Sequence, residues 1–311
     1  MENIRNCGGQ MSIFTNTCAH FALIFISLGA INVYPRLAFK QPQTYLALFS
    51  TINNLEIQAS IEKIKKNEST IVNTLTHELD QKHDQLLAAL IESFPLPDNA
   101  WKNCLEEFNK TKSQDNLLIT TVSHLNVDQI EAIEALLYSY NINPERITII
   151  PTESTSYFVS AGQGIDDTHQ VIHELRINFE KLSKKPVEIQ EAIIKHELQH
   201  LLQYDSLEFS FITSLLQEYG ISIAELFKHP AFIAYKRHIE YRADLKAAAE
   251  DIAIANAFKK DFEDYIQQQP ENAEKQFSSH PSKKDRHQAM SNLISYLEAE
   301  NRLKSEETLP A

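Results

Sequence analysis

The chain has 311 residues, of which 43% are hydrophobic and 23% charged, with only 6 Gly and 11 Pro. That is the make-up of a folded protein of one or two domains, and it excludes a disordered, collagen-like or low-complexity chain. The 29 Lys and Arg against 42 Asp and Glu, net −13, argue against affinity for phosphate backbones, so nucleic acid is not expected as a partner. Cys7, Cys18 and Cys104 are too few for a disulfide framework and include no Cys-x-x-Cys pair, so any metal must be held by His and carboxylates.

In chain order, Phe21 to Tyr34 form the long apolar run. It is shorter than the roughly 20 residues a spanning helix needs, so residues 1–40 read as a signal peptide or a membrane anchor. Export to a periplasm or the medium, or membrane association through residues 21–34, is the expected location. A cytoplasmic chain with a buried N-terminal helix is the alternative. From Gln41 to Ser113, apolar residues recur at three- and four-residue spacing through Leu46–Ile64 and Ile71–Ile91, which predicts helices, and Phe94–Asn99 breaks the pattern. A strand at Leu117–Val122, a helix at Asn126–Tyr140 with Asn126 and Gln129 set for a capping box, and a strand at Arg146–Ile150 follow. Residues 41–145 thus read as a helical region with a β-α-β-like end. Tyr157–Ser160 and Leu175–Phe179 are two further short strands, around Gly162 and Gly164. Pro186 to Leu297 reads helical, interrupted near His229-Pro230 and between Pro270 and Pro281, and residues 298–311 form a polar tail. The fold class expected is α+β, mostly helical, with a short sheet in the middle of the chain.

His-Glu-Leu begins at His77, His173 and His196, and only the last is followed by a second histidine at the fourth position, in His196-Glu197-Leu198-Gln199-His200. On a helix, positions i and i+4 share a face, so His196 and His200 can hold one zinc ion while Glu197 faces its water. Zinc lowers the pKa of that water and a glutamate takes its proton during attack on a carbonyl. Pro186 suits a first helical turn, and Val187 to Leu202 contains no Gly or Pro. His169 and His173 are also four apart, but the adjoining Asp166-Asp167 and strand suggest a loop.

A third ligand is needed. Gln203 and Ser206 stand where a metzincin would carry Gly and His, which excludes that branch. A distant glutamate is expected, with Glu218, Glu225, Glu240 and Glu250 as candidates. Glu240 is favoured because Asp244, one helical turn on, could accept the other ring N–H of His196 and fix its tautomer. The alternative is a solvated face on which Glu240 and Asp244 pair with Arg237 or Arg242.

Taken together, His196–His200, Glu240-Tyr-Arg-Ala-Asp244 and Ser279-His-Pro-Ser-Lys-Lys-Asp-Arg286 resemble the gluzincin family of the CAAX prenyl endopeptidases and the bacterial heat-shock protease HtpX. The resemblance covers roughly Ile147 to Leu297. It implies a zincin-type catalytic domain at 146–297, one Zn2+ per chain, and a protein or peptide substrate hydrolysed at its peptide bonds. It further implies that His280 donates a hydrogen bond to the reacting carbonyl and that Arg286 braces the metal-site helices. Arg176, Ile177, Asn178 and Phe179 would form the edge strand that aligns an extended substrate. Gln199 stands where the family usually has Gly, so the neighbouring element must sit differently or Gln199 must face a wet cleft. The multiple membrane spans of the named branches are absent, which favours an exported, soluble branch engaged in protein quality control. The competing reading is a non-catalytic zinc-binding or client-binding protein on the same fold.

Overall fold

A computed structural model describes residues 71–97, 99–115, 147–154, 157–167, 169–249, 251–274 and 280–307. These residues are mostly helical with a small three-stranded sheet, an α+β arrangement, and all lie within one compact unit, residues 41–311. The apolar run at 21–34 and the elements expected at 46–64, 117–122 and 126–140 lie outside the described residues. Among the described residues no helix is long and apolar enough to cross a membrane.

Helices α1 (Ile71–Ser93) and α2 (Ala100–Gln114) precede strands β1 (Ile147–Pro151), β2 (Val159–Ile165) and β3 (Val171–Ile177). Then come α3 (Phe179–Leu182), α4 (Val187–Gln203), α5 (Asp205–Glu218), α6 (Ile223–Leu226), α7 (Pro230–Ala249), α8 (Ile252–Gln268) and α9 (Lys283–Glu307). The sheet order is β1-β3-β2, with β1 parallel and β2 antiparallel to β3. On β3, Val171, His173, Leu175 and Ile177 are buried in alternation with more exposed neighbours, the period-two pattern of a strand with one face on a core.

The edge strand expected at 176–179 is corrected by this topology. Arg176 and Ile177 lie on the central strand, whose backbone is paired on both sides, so no further chain can add there. Asn178 leaves the sheet and caps α3 by accepting the Lys181 N–H, which makes Phe179 helical. Ile177, Asn178 and Phe179 instead line a groove of about 760 Å3 with Pro151 and Lys184. The strand that packs on α4 at an edge of the described sheet is β2. It runs further than expected because Gly162 and Gly164 pair through their backbones with β3, where a missing side chain breaks no ladder.

Helix α4 is covered on two sides. Ile194, Leu198 and Leu201 pack with Leu175 and Ile177 of β3, whereas Ile189 and Ala192 pack with Tyr241 and Leu245 of α7 and Phe258 of α8. Helix α7 is buried along most of its length because α1, α4, α8 and α9 surround it. Helix α9 starts at a Ser282 cap, whose Oγ accepts the Asp285 N–H at 3.1 Å. It continues to Glu307, through most of the segment read from sequence as a polar tail, with Leu297 and Glu300 buried along it.

Candidate metal centre

His196 and His200 project from one face of α4 toward Glu240 on α7. Their Nε2 atoms are 3.1 Å apart and lie 3.4 and 3.8 Å from Glu240 Oε2. All three residues are buried, and one donor atom from each falls within 4.8 Å of the others, so the group can hold a metal ion. Of the other candidate glutamates, Glu218 is exposed at the end of α5 and Glu225 closes a capping box with Ser222, while Glu250 is outside the described residues.

Each ring turns its second nitrogen to a carboxylate. Asp244 Oδ1 is 2.9 Å from His196 Nδ1. Arg286 grips the same carboxylate, Nε to Oδ2 and NH2 to Oδ1, both at 2.6 Å. Asp205 Oδ2 is 2.8 Å from His200 Nδ1, and its other oxygen accepts from Arg242 NH2. Burial opposes the charge on Asp244 and on Asp205, but Arg286 and His196 hold Asp244 well below the usual carboxylate range, and Arg242 and His200 hold Asp205 at about 2.

Electrostatics at the donors fit a cation. Burial disfavours the His200 imidazolium, yet Asp205 and Glu240 outweigh it and raise the pKa to about 10. Burial likewise works against Glu240, but its attraction to His280 and its hydrogen bonds to His196 and His200 overcome it and keep the carboxyl well below its ordinary range.

Glu197, the next residue on α4, reaches β2: its Oε2 accepts the Ala161 N–H at 2.7 Å, a backbone donor on the outward side of the strand. His280 stands at the mouth, half exposed, with Nε2 3.1 Å from Glu240 Oε2. The helix cap that could have claimed His280 is filled by Ser282 instead.

Gln199 faces no wet cleft. It is 4% exposed, and its Oε1 accepts from Gln203 Nε2 at 3.3 Å. Gln203 in turn accepts from Lys246 Nζ on α7 at 2.9 Å. The position that would be Gly in the resembling family is thus occupied by a side chain tied into the polar interface with α7.

Asp205 is absent from the sequence reading of the site, and Arg242 entered it only as a surface partner of Glu240 and Asp244, whereas it is buried against Asp205. Asp205 is five residues beyond His200 and shares no helix face with it. Tyr204 brings it in: with φ 61° it is left-handed, ends α4 and starts α5 at Asp205. A conformation that costs a non-glycine residue about 1–3 kcal/mol needs support. It comes from the Tyr204 hydroxyl, which donates to Asp115 Oδ2 at 2.8 Å. The only sequence signal was an acid soon after the helix.

Set against protein-family models, curated proteins and solved structures, the chain matches none of them.

Proposed function

We propose that this chain is a zinc-dependent metalloendopeptidase. The observation that carries the reading is the convergence of His196, His200 and Glu240, with Glu197 beside them on the same helix. Two imidazole nitrogens and one carboxylate oxygen make the donor set of a catalytic zinc that keeps a fourth position open. Bound there, zinc would supply Lewis acidity and lower the pKa of water. Glu197 takes the proton from the attacking water and passes it to the leaving amine. His280, at the mouth, donates to the oxygen on which charge builds during attack. β2 is an edge of the described sheet, and beyond Ala161, whose N–H Glu197 holds, an extended peptide can lie along it by strand addition. Strand addition reads backbone more than side chains, which suits an unfolded protein substrate and a role in quality control.

The test is zinc content of the purified chain together with cleavage of an unstructured protein, abolished by a chelator and restored by zinc. Glu197→Gln should keep zinc and fold but lose nearly all hydrolysis, since an amide cannot take the proton. A wild-type chain that holds zinc tightly but cleaves nothing would move the reading to a zinc-binding or client-binding protein. Mass spectrometry of the mature N-terminus tests the proposed export or anchoring through residues 21–34.

A further inference from the structure

The first described helix, α1, reaches the back of the metal centre by a line of charges that is half exposed at Asp80 and buried at Arg242 and Asp205. Asp205 is 2% and Arg242 5% exposed. Asp205 holds His200 Nδ1 with one oxygen and Arg242 with the other. Behind Arg242 stands Asp80 of α1, Oδ1 3.6 Å from Arg242 NH1 and 2.8 Å from Lys246 Nζ. One turn along α5 from Asp205, Glu208 Oε2 meets His83 Nε2 of α1 at 2.9 Å and the Tyr235 hydroxyl at 2.7 Å. Of α1, His83 thus holds α5, the helix that begins at Asp205, and Asp80 holds Arg242 and Lys246 on α7.

We infer that Asp205 is a positioning residue for His200, and that α1 completes the metal centre by holding Arg242 and α5 in place. The physical reason lies in the tautomer. A histidine that gives its Nδ1–H to a carboxylate presents a bare Nε2 to the metal, in a fixed ring orientation. Arg242 has donors only, so it fixes which Asp205 oxygen is free for the ring. In Asp205→Asn the amide has one oxygen, which Arg242 claims. The amide NH2 then faces His200 Nδ1 and selects the tautomer protonated at Nε2, the wrong one for metal binding. The inference rests on the metal-site part of the proposed function and not on hydrolysis.

The experiment uses the full chain and zinc alone. Zinc affinity is measured at 25 °C by competition with a chromogenic chelator, alongside the visible spectrum of the cobalt-substituted protein and the melting temperature of the metal-free form. Asp205→Asn should weaken zinc by about 10–100-fold, as outer partners of ligating histidines do, and alter the cobalt spectrum. Asp80→Ala, a change at a half-exposed residue that folding should survive, should weaken zinc by about threefold to tenfold in the same direction. An Asp205→Asn protein with a lower melting temperature but unchanged zinc affinity and cobalt spectrum would make Asp205 merely structural and overturn the inference. Should that variant not fold, unchanged affinity in Asp80→Ala overturns the part assigned to α1. A wild-type chain that binds no zinc would instead sink the proposed function, and this inference with it.

Discussion

Arg286 on α9 and Asp244 on α7 form a two-point ion pair, with both hydrogen bonds at 2.6 Å, and Asp244 lies 2.9 Å from a ring nitrogen of His196. The last helix is thereby joined to the metal centre through one carboxylate. Arg286→Lys keeps the charge but cannot reproduce the planar fork, so Asp244 should lose its orientation. Zinc affinity is expected to fall by about 10–100-fold in Asp244→Asn and by less in Arg286→Lys. Equal affinities in all three proteins, by chelator competition, would reduce the pair to a tie between helices.

His280 is half exposed and touches Glu240, so its removal should leave packing nearly intact. If it donates to the reacting oxygen, His280→Ala lowers kcat by about 10²–10³-fold with KM and zinc content little changed. The measurement is steady-state kinetics on a fluorogenic peptide. An unchanged kcat with higher KM would assign His280 to substrate binding instead.

Stability should depend on a second buried cluster, centred on His173 and Asp115. His173 Nε2 is 2.6 Å from Asp115 Oδ2, Gln163 Nε2 is 3.0 Å from His173 Nδ1, and the Tyr204 hydroxyl shares the Asp115 oxygen. With Nδ1 accepting from the Gln163 amide, Nε2 carries the proton and donates to Asp115. Asp115→Ala strands two buried donors, each worth about 1–3 kcal/mol, and frees the left-handed Tyr204. Urea unfolding should show a clear loss of stability, and a smaller one for Tyr204→Phe. Indistinguishable midpoints would mean that water satisfies these groups.

Cys104 gives a prediction on pH. Burial first, then the charges of Glu218 and Glu208, push its thiol up to about 11. The thiolate is the nucleophile, so at pH 8 alkylation should run roughly 10²-fold slower than for a free thiol of pKa near 8.5. The rate should keep climbing between pH 9 and 11 instead of levelling off. Peptide mapping after timed iodoacetamide treatment reads Cys104 apart from Cys7 and Cys18. A plateau by pH 9 would contradict the assigned environment.

What could be read from the amino-acid order was what depends on short-range periodicity. His196 and His200 share a face because they are four apart on a helix, and Glu240 and Asp244 for the same reason. The mostly helical α+β character followed from helical readings toward both ends of the chain and short strand runs in its middle. Strand order could not follow, because pairing joins residues distant in sequence. Arg176–Phe179, expected as an edge from the resemblance, proved otherwise once β1 and β2 were found on either side of β3 and Asn178 was found capping a helix. The Asp205 support was hidden for a related reason. It depends on one left-handed residue, Tyr204, held by Asp115 from the end of α2, and on Arg242 meeting a carboxylate 37 residues earlier. Local spacing sets which side chains share a face, whereas only the packing of α1, α4, α5 and α7 decides which faces meet.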